Sequence, residues 1–135
     1  MPKQVKPKAG IFLEYAPIHR RYDVPFERAD DAKSRQQFEM LDANLEVFGR
    51  ANAQALEYWL DASLFSKWKK PAVKIPFDPK VLAADLDTYG RRGVRHITTF
   101  AVYIDADYLA RHGDPPLKEY GGQLRRWGPQ KHRGS

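Results

Sequence analysis

A parallel α/β segment of βαβαβ order is predicted by three patterns in the chain. Three short apolar runs, within Gly10–Pro17, around Ala55–Leu60 and over Val94–Ile104, read as strands. Two long amphipathic helices separate them. Each helix carries its own start and stop signals, and strands that alternate with such helices pair in parallel through right-handed crossovers.

The first run, Gly-Ile-Phe-Leu-Glu-Tyr-Ala-Pro, is bounded by turn formers and suits a strand buried on both faces. A loop from Ile18 to Ala29 follows it. Asp30 or Asp31 then caps a helix in which Phe38, Leu41, Leu45 and Phe48 recur every three or four residues, and Gly49 stops it. The second strand leads into a long connection, Ala62 to Phe77, rich in Ser, Lys, Pro and aromatics. Asp78-Pro79 starts the next helix, because Asp caps free amides and Pro tolerates the first turn. Val81, Leu82, Leu86 and Tyr89 form its apolar face, and Gly90 and Gly93 end it. The third strand is rich in β-branched and aromatic residues and exits at Asp105 and Asp107. A weaker helix near Tyr108–His112 is broken by Asp114-Pro115-Pro116, and Gly121-Gly122 reads as a turn.

Three parallel strands cannot close a barrel, and alone they leave exposed edges. The segment therefore reads as part of a larger sheet or barrel.

Composition narrows the classes. A chain of 135 residues with 42% hydrophobic content suits one domain, or a piece of a larger one, with a real core. No apolar stretch is long enough for a bilayer, and the basic start lacks a signal peptide's hydrophobic region. As written the chain reads as soluble and cytoplasmic, and as secreted or periplasmic if it is a fragment of a longer precursor. The absence of cysteine removes disulfides, thiolate nucleophiles and cysteine zinc sites. The formal charge of +6 sits at the ends: residues 1–8 carry three lysines and no acid, and residues 118–135 carry five basic residues against Glu119. The body is close to neutral. We read residues 1–8 as a basic extension, 9–124 as the domain and 125–135 as a solvated basic tail, with neither nucleic acid nor membrane as partner.

The segments Gly10–Arg20, Ala55–Asp61 and Gly93–Phe100, in this order and spacing, resemble the late part of the domain of unknown function 4838. That domain belongs to bacterial proteins related to the family 163 glycoside hydrolases. The likeness covers about residues 9–124. It implies that the chain is the C-terminal part of a (β/α)8 TIM barrel, supplying its last three strands. It also implies a retaining hydrolase acting on N-acetylglucosamine-containing glycans, with the acid of an earlier strand lying outside this chain. The alternative is a non-catalytic half-barrel that binds carbohydrate or assembles with a second copy or a partner supplying the missing half.

Glu57 is the catalytic candidate. A carboxylate within Ala-Leu-Glu-Tyr-Trp-Leu is costly to bury unless protonated, paired or functional. Retaining glycosidases need two carboxyl groups about 5–5.5 Å apart, and the resemblance puts Glu57 on the strand that often carries the nucleophile. The competing reading pairs it with Arg20 or His19. Period-two alternation groups Glu57 with Trp59 and Asp61, on a face expected to line the barrel mouth, with Leu56, Tyr58 and Leu60 on the other.

Glu14 is a second pocket carboxylate on the first strand, and its pairing with Glu57 is possible on paper. Asp61 reads equally as a substrate contact or a turn and cap residue. His19, Arg20 and Arg21 follow the first strand at its carboxyl end, where barrels carry their sites, and can meet sugar hydroxyls, hold Glu57 ionised or be solvated loop charges. Trp59, Trp68, Tyr22 and Phe65 offer flat faces for sugar C–H groups or pack in the core, and Tyr58 joins the candidate contacts within the resembling motif.

No cofactor is called for. The histidines, His19, His96, His112 and His132, lack metal-ligand spacing, Gly90–Gly93 lacks the P-loop lysine, and Ser63 lacks the glycines of a nucleophile elbow.

Overall fold

The computed structural model describes residues 6–128. Its three strands, β1 (Leu13–Tyr15), β2 (Ala53–Glu57) and β3 (His96–Thr99), form one parallel sheet in the order β1-β2-β3. Each strand is shorter than its apolar run. Phe100, Val102 and Ile104 extend the third run in sequence, but the chain turns after Thr99, and Tyr103 and Ile104 pack instead under the loops at the carboxyl ends of the strands.

The two long helices form where their caps lie. α1 (Ala32–Phe48) is capped by Asp31, which accepts from Ser34 N at 3.0 Å, and ends at Gly49, whose φ of 87° costs a residue without a side chain little. After a short helix α2 (Ala62–Phe65), α3 (Pro79–Arg91) is capped by Asp78, which accepts from Lys80 N at 2.8 Å. Gly90 lies within α3, and Gly93, at φ 80°, makes the turn into the third strand.

α4 (Ala106–His112) follows, capped by Asp105. The chain then forms α5 (Leu117–Trp127), where a turn at Gly121-Gly122 and a tail from residue 125 were expected. Tertiary packing overrides the two glycines. Tyr120, Leu124 and Trp127 lie against the main core, and Gln123 reaches the carbonyl of Pro79 at the start of α3 at 2.9 Å. Of the expected terminal segments, residues 1–5 and 129–135 lie outside the described residues.

Register decides which face each strand residue takes. Leu13 pairs with Ala53 and Tyr15 with Ala55, and these residues pack with Leu41 and Leu45 of α1 and Leu82, Leu86 and Tyr89 of α3 in one cluster. Both crossover helices therefore back the same face, as right-handed connections between sequential parallel strands require. Glu57 lies on that face. The alternation predicted the opposite, a side chain pointing away from the helices, because period two groups residues without saying which group meets the helices. The strand also stops at Glu57, and a turn from Tyr58 to Asp61, closed by Asp61 N on Tyr58 O at 3.1 Å, breaks the alternation before Trp59 and Asp61.

On the other face Glu14, Gln54 and His96 stand in one row. Glu14, His96 and Thr98 are exposed and Gln54 is half-buried. No helix among the described residues is long and apolar enough to cross a membrane.

Candidate functional site

Glu57 is the last residue of β2 and has no solvent exposure. A charge taken that far from water needs donors, and two elements bring three of them. From the loop after β1, Arg20 Nη1 donates to Glu57 Oε1 at 3.0 Å and Tyr22 Oη donates to Oε2 at 2.8 Å. From α3, Tyr89 Oη donates to Oε1 at 2.6 Å.

One turn earlier on the same face of α3, Asp85 forms the other half of the cluster. Its Oδ2 meets Arg20 Nη1 at 2.7 Å and accepts from Trp59 Nε1 at 2.9 Å, and its Oδ1 accepts from Phe26 N at 2.8 Å. Arg20 is completed by its own loop. Nε donates to Arg21 O at 3.0 Å, Nη2 to Val24 O at 3.3 Å, and the guanidinium lies between the rings of Tyr22 and Phe26, 4.6 and 4.4 Å from their centroids. The result is a closed polar knot joining β2, α3 and the loop after β1.

Two carboxylates face one guanidinium, and the electrostatics follow. Burial pushes the Glu57 pKa above the ordinary glutamate value, and Asp85 adds to that shift against the opposing pull of Arg20 and the two tyrosine hydroxyls. Burial works against the charge on Arg20, yet Glu57 and Asp85 outweigh it and hold its pKa above the usual arginine value. Burial, reinforced by Glu57, raises Tyr22 and Tyr89 well beyond the ordinary tyrosine value, so both remain donors. A proton on Glu57 has a place to go. Oε2 can donate it to Tyr22 Oη, which then turns its own hydrogen to Pro17 O, 3.3 Å away.

Glu57 and Asp85 share one arginine nitrogen, at 3.0 and 2.7 Å, whereas a retaining pair holds the scissile bond between its two carboxyl groups. The guanidinium fills the gap a sugar would need. The arrangement thus holds two carboxylates apart and ordered, with no room for a scissile bond between them.

Open space begins on the other side of Arg20 and Tyr22. A cavity of about 360 Å³ at the carboxyl ends of the strands is lined by both of them together with Ile18, Leu64, Phe65 and Pro76. Arg21 and Asp23, paired at 2.9 Å, stand at its exposed rim. Glu57 does not line this cavity. It touches the cavity only through the two side chains it holds.

The expected site residues therefore divide. Glu57, Arg20 and Trp59 come together in the buried knot. Glu14 does not join them; it lies on the opposite face of the sheet, hydrogen-bonded by Gln54 at 3.1 Å, so Glu14 and Glu57 point away from each other and cannot both reach one sugar. Asp61 is 5% exposed and caps α2, accepting from Ser63 N at 3.0 Å and from Ser63 Oγ at 2.5 Å. Tyr58 is buried with its ring 5.1 Å from that of Phe100. His19 is exposed beside the knot, and Trp68 stands 61% exposed in the loop after α2.

From the sequence Asp85 has no assigned role, and Tyr89 reads as purely apolar. A signal was present: positions 81, 82, 85, 86 and 89 form one stripe, so an acid at 85 sits on the apolar face and needs a partner. Among the described residues no group of histidine and acidic side chains is placed to hold a metal ion. Comparison with family models, with curated proteins and with solved structures returned no match for this chain.

Proposed function

We propose that this chain is the late βα portion of a glycoside hydrolase-like (β/α)8 barrel acting on N-acetylglucosamine-containing glycans. In this reading the chain contributes sugar-binding surface at the carboxyl ends of its strands and does not hydrolyse glycans by itself. One observation carries it: sequential parallel strands backed on one face by both crossover helices, with a cavity opening at their carboxyl ends, the arrangement by which barrels present their sites. The motif resemblance supplies the substrate class. Glu57 acts as a positioning residue, holding Arg20 and Tyr22 at the cavity wall.

The test combines hydrolysis and binding. The wild-type chain and Glu57→Gln are assayed on chitobiose aryl glycosides, and chitobiose is titrated into the wild type and into Ile18→Trp, which narrows the cavity. The expected result is no turnover by either protein and binding that Ile18→Trp removes. Turnover that disappears in Glu57→Gln would make Glu57 catalytic after all. Absence of chitobiose binding would remove the carbohydrate reading.

A second reading is favoured by the open face and the two outer strands, each paired on one side only among the described residues: a half-barrel completed by another chain. Sedimentation separates the two. A mass that doubles with concentration selects assembly, and a constant monomer mass removes self-assembly.

A further inference from the structure

Four lysines, Lys67, Lys69, Lys70 and Lys74, fall in the loop between α2 and α3 with no acid anywhere from Ser66 to Phe77. All four are exposed. Lys70 pairs with Asp105, while Lys67, Lys69 and Lys74 make no ion pair among the described residues. In their midst Trp68 is 61% exposed, an unusual position for the largest apolar side chain.

The backbone holds it there. Lys67 N donates to Leu64 O at 3.1 Å and Trp68 N to Ser63 O at 2.7 Å, the two-bond closure that normally ends a helix on glycine. Here Lys67 takes the left-handed position at φ 53° and Trp68 follows at φ 59°, both conformations that side chains disfavour. Tyr103, at φ 68°, braces the turn by donating its hydroxyl to Trp68 O at 3.2 Å, and the Lys70 ammonium lies 4.5 Å from its ring centroid. Ser66 Oγ ties the turn down, donating to Ala62 O at 2.6 Å and accepting from Val73 N at 2.9 Å. Tyr108 Oη then accepts from Ile75 N at 3.1 Å, and His112 Nε2 meets Ala72 O at 2.7 Å. A loop of merely solvated lysines would not need such bracing, and strain of this kind persists where its surroundings hold it and often where it serves binding.

We propose that this braced loop is a binding surface for an acidic polysaccharide, with Trp68 stacking on the apolar face of a sugar ring and Lys67, Lys69 and Lys74 meeting carboxylates along the chain. Lysines are compact point charges suited to spaced carboxylates. A single-stranded nucleic acid is favoured less, because its bases need successive open aromatic platforms, and Tyr103, the ring that braces Trp68, is half-buried with the Lys70 ammonium against it. The choice of a sugar polymer rests on the carbohydrate reading above, but the surface is separate from the cavity beside Arg20.

The full chain is titrated with polygalacturonate, with a neutral hydroxyethyl cellulose and with poly(dT), following tryptophan fluorescence and heat. Polygalacturonate is expected to bind at ~20 mM salt, to weaken by at least about tenfold at ~300 mM, and to exceed the neutral polymer clearly. Trp68→Ala and the triple variant K67Q/K69Q/K74Q should each weaken it by about tenfold, while Lys80→Gln on α3 and K131Q/R133Q in the basic tail change it less than about twofold. Circular dichroism confirms that each variant is folded, and Trp68→Phe, which retains a ring, should recover part of the affinity. Equal affinity for poly(dT), loss of binding in K131Q/R133Q, or full affinity in Trp68→Ala would each overturn the proposal. Chitobiose binding that fails while polygalacturonate binding holds would remove the cavity reading and leave this surface standing.

Discussion

The two faces of the three-strand sheet are made from alternating residues of the same strands, and each carries a glutamate, yet Glu57 and Glu14 live under opposite physics. Glu57 is sealed against α3 with three donors, and burial, with Asp85 adding to it, makes its charge costly. Glu14 is exposed, shares one hydrogen bond with Gln54 and remains solvated. The difference teaches that a carboxylate's role is set by the face it occupies. A buried acid can organise a site from behind, whereas an exposed one on an open sheet face remains available to whatever covers that face.

The buried face depends most heavily on Arg20. Arg20→Met leaves Glu57 and Asp85 buried without their common cation, and removing one partner from a buried ion pair costs about 3–5 kcal/mol. Urea unfolding at neutral pH measures it. A loss below about 1 kcal/mol would mean that the two carboxyls satisfy each other by sharing a proton, without needing the guanidinium.

Next in size is Tyr89→Phe, which deletes the 2.6 Å donor to Glu57 while keeping the ring in the core. The expected loss is about 1–3 kcal/mol, the cost of leaving a buried acceptor short of a partner. Tyr22→Phe should cost less, because Tyr22 borders the cavity and water can reach the vacated position.

The pH dependence sharpens the same contrast. The folded-state pKa of Glu57 is raised above its ordinary value of 4.5, so its contribution to stability is fully present below 4.5 and is lost as pH rises through the folded value. Stability from this group should therefore fall on going from mildly acidic to alkaline solution. Glu57→Gln, which imitates the protonated acid, should flatten that slope in a series of urea midpoints. An unchanged slope would assign the pH dependence to other groups.

The smallest effect belongs to the open face. Glu14→Gln should shift stability by no more than about 0.5 kcal/mol, as surface substitutions usually do. A larger loss in the thermal midpoint that also depends on protein concentration would reveal a partner seated on that face.

Much of the scaffold was legible from local signals. Asp30 or Asp31 and Asp78 as caps, Gly49 as a stop and the stripe Val81, Leu82, Leu86, Tyr89 need only neighbours in sequence, and the structure selects Asp31 and places the others as read. The burial of Glu57 and its partnership with Arg20, one of the two readings open at the outset, were also legible, because a charge in apolar company must be paired or neutralised. Asp85 and Tyr89 were not seen as its partners, since nothing in the spacing of α3 says that the helix lies over the end of β2. The helix α5 was missed because Gly121-Gly122 reads as a turn until α3 and the core supply contacts that outweigh the glycine penalty.

The alternation of short strands with capped amphipathic helices follows from local sequence, since caps, turns and periodicity act over a few residues. Which side of the sheet those helices cover is chosen only when the strands and helices pack together. That choice depends on crossover handedness and on the sum of apolar contacts over the whole sheet, and it makes Glu57 the buried anchor of Arg20 and Tyr22.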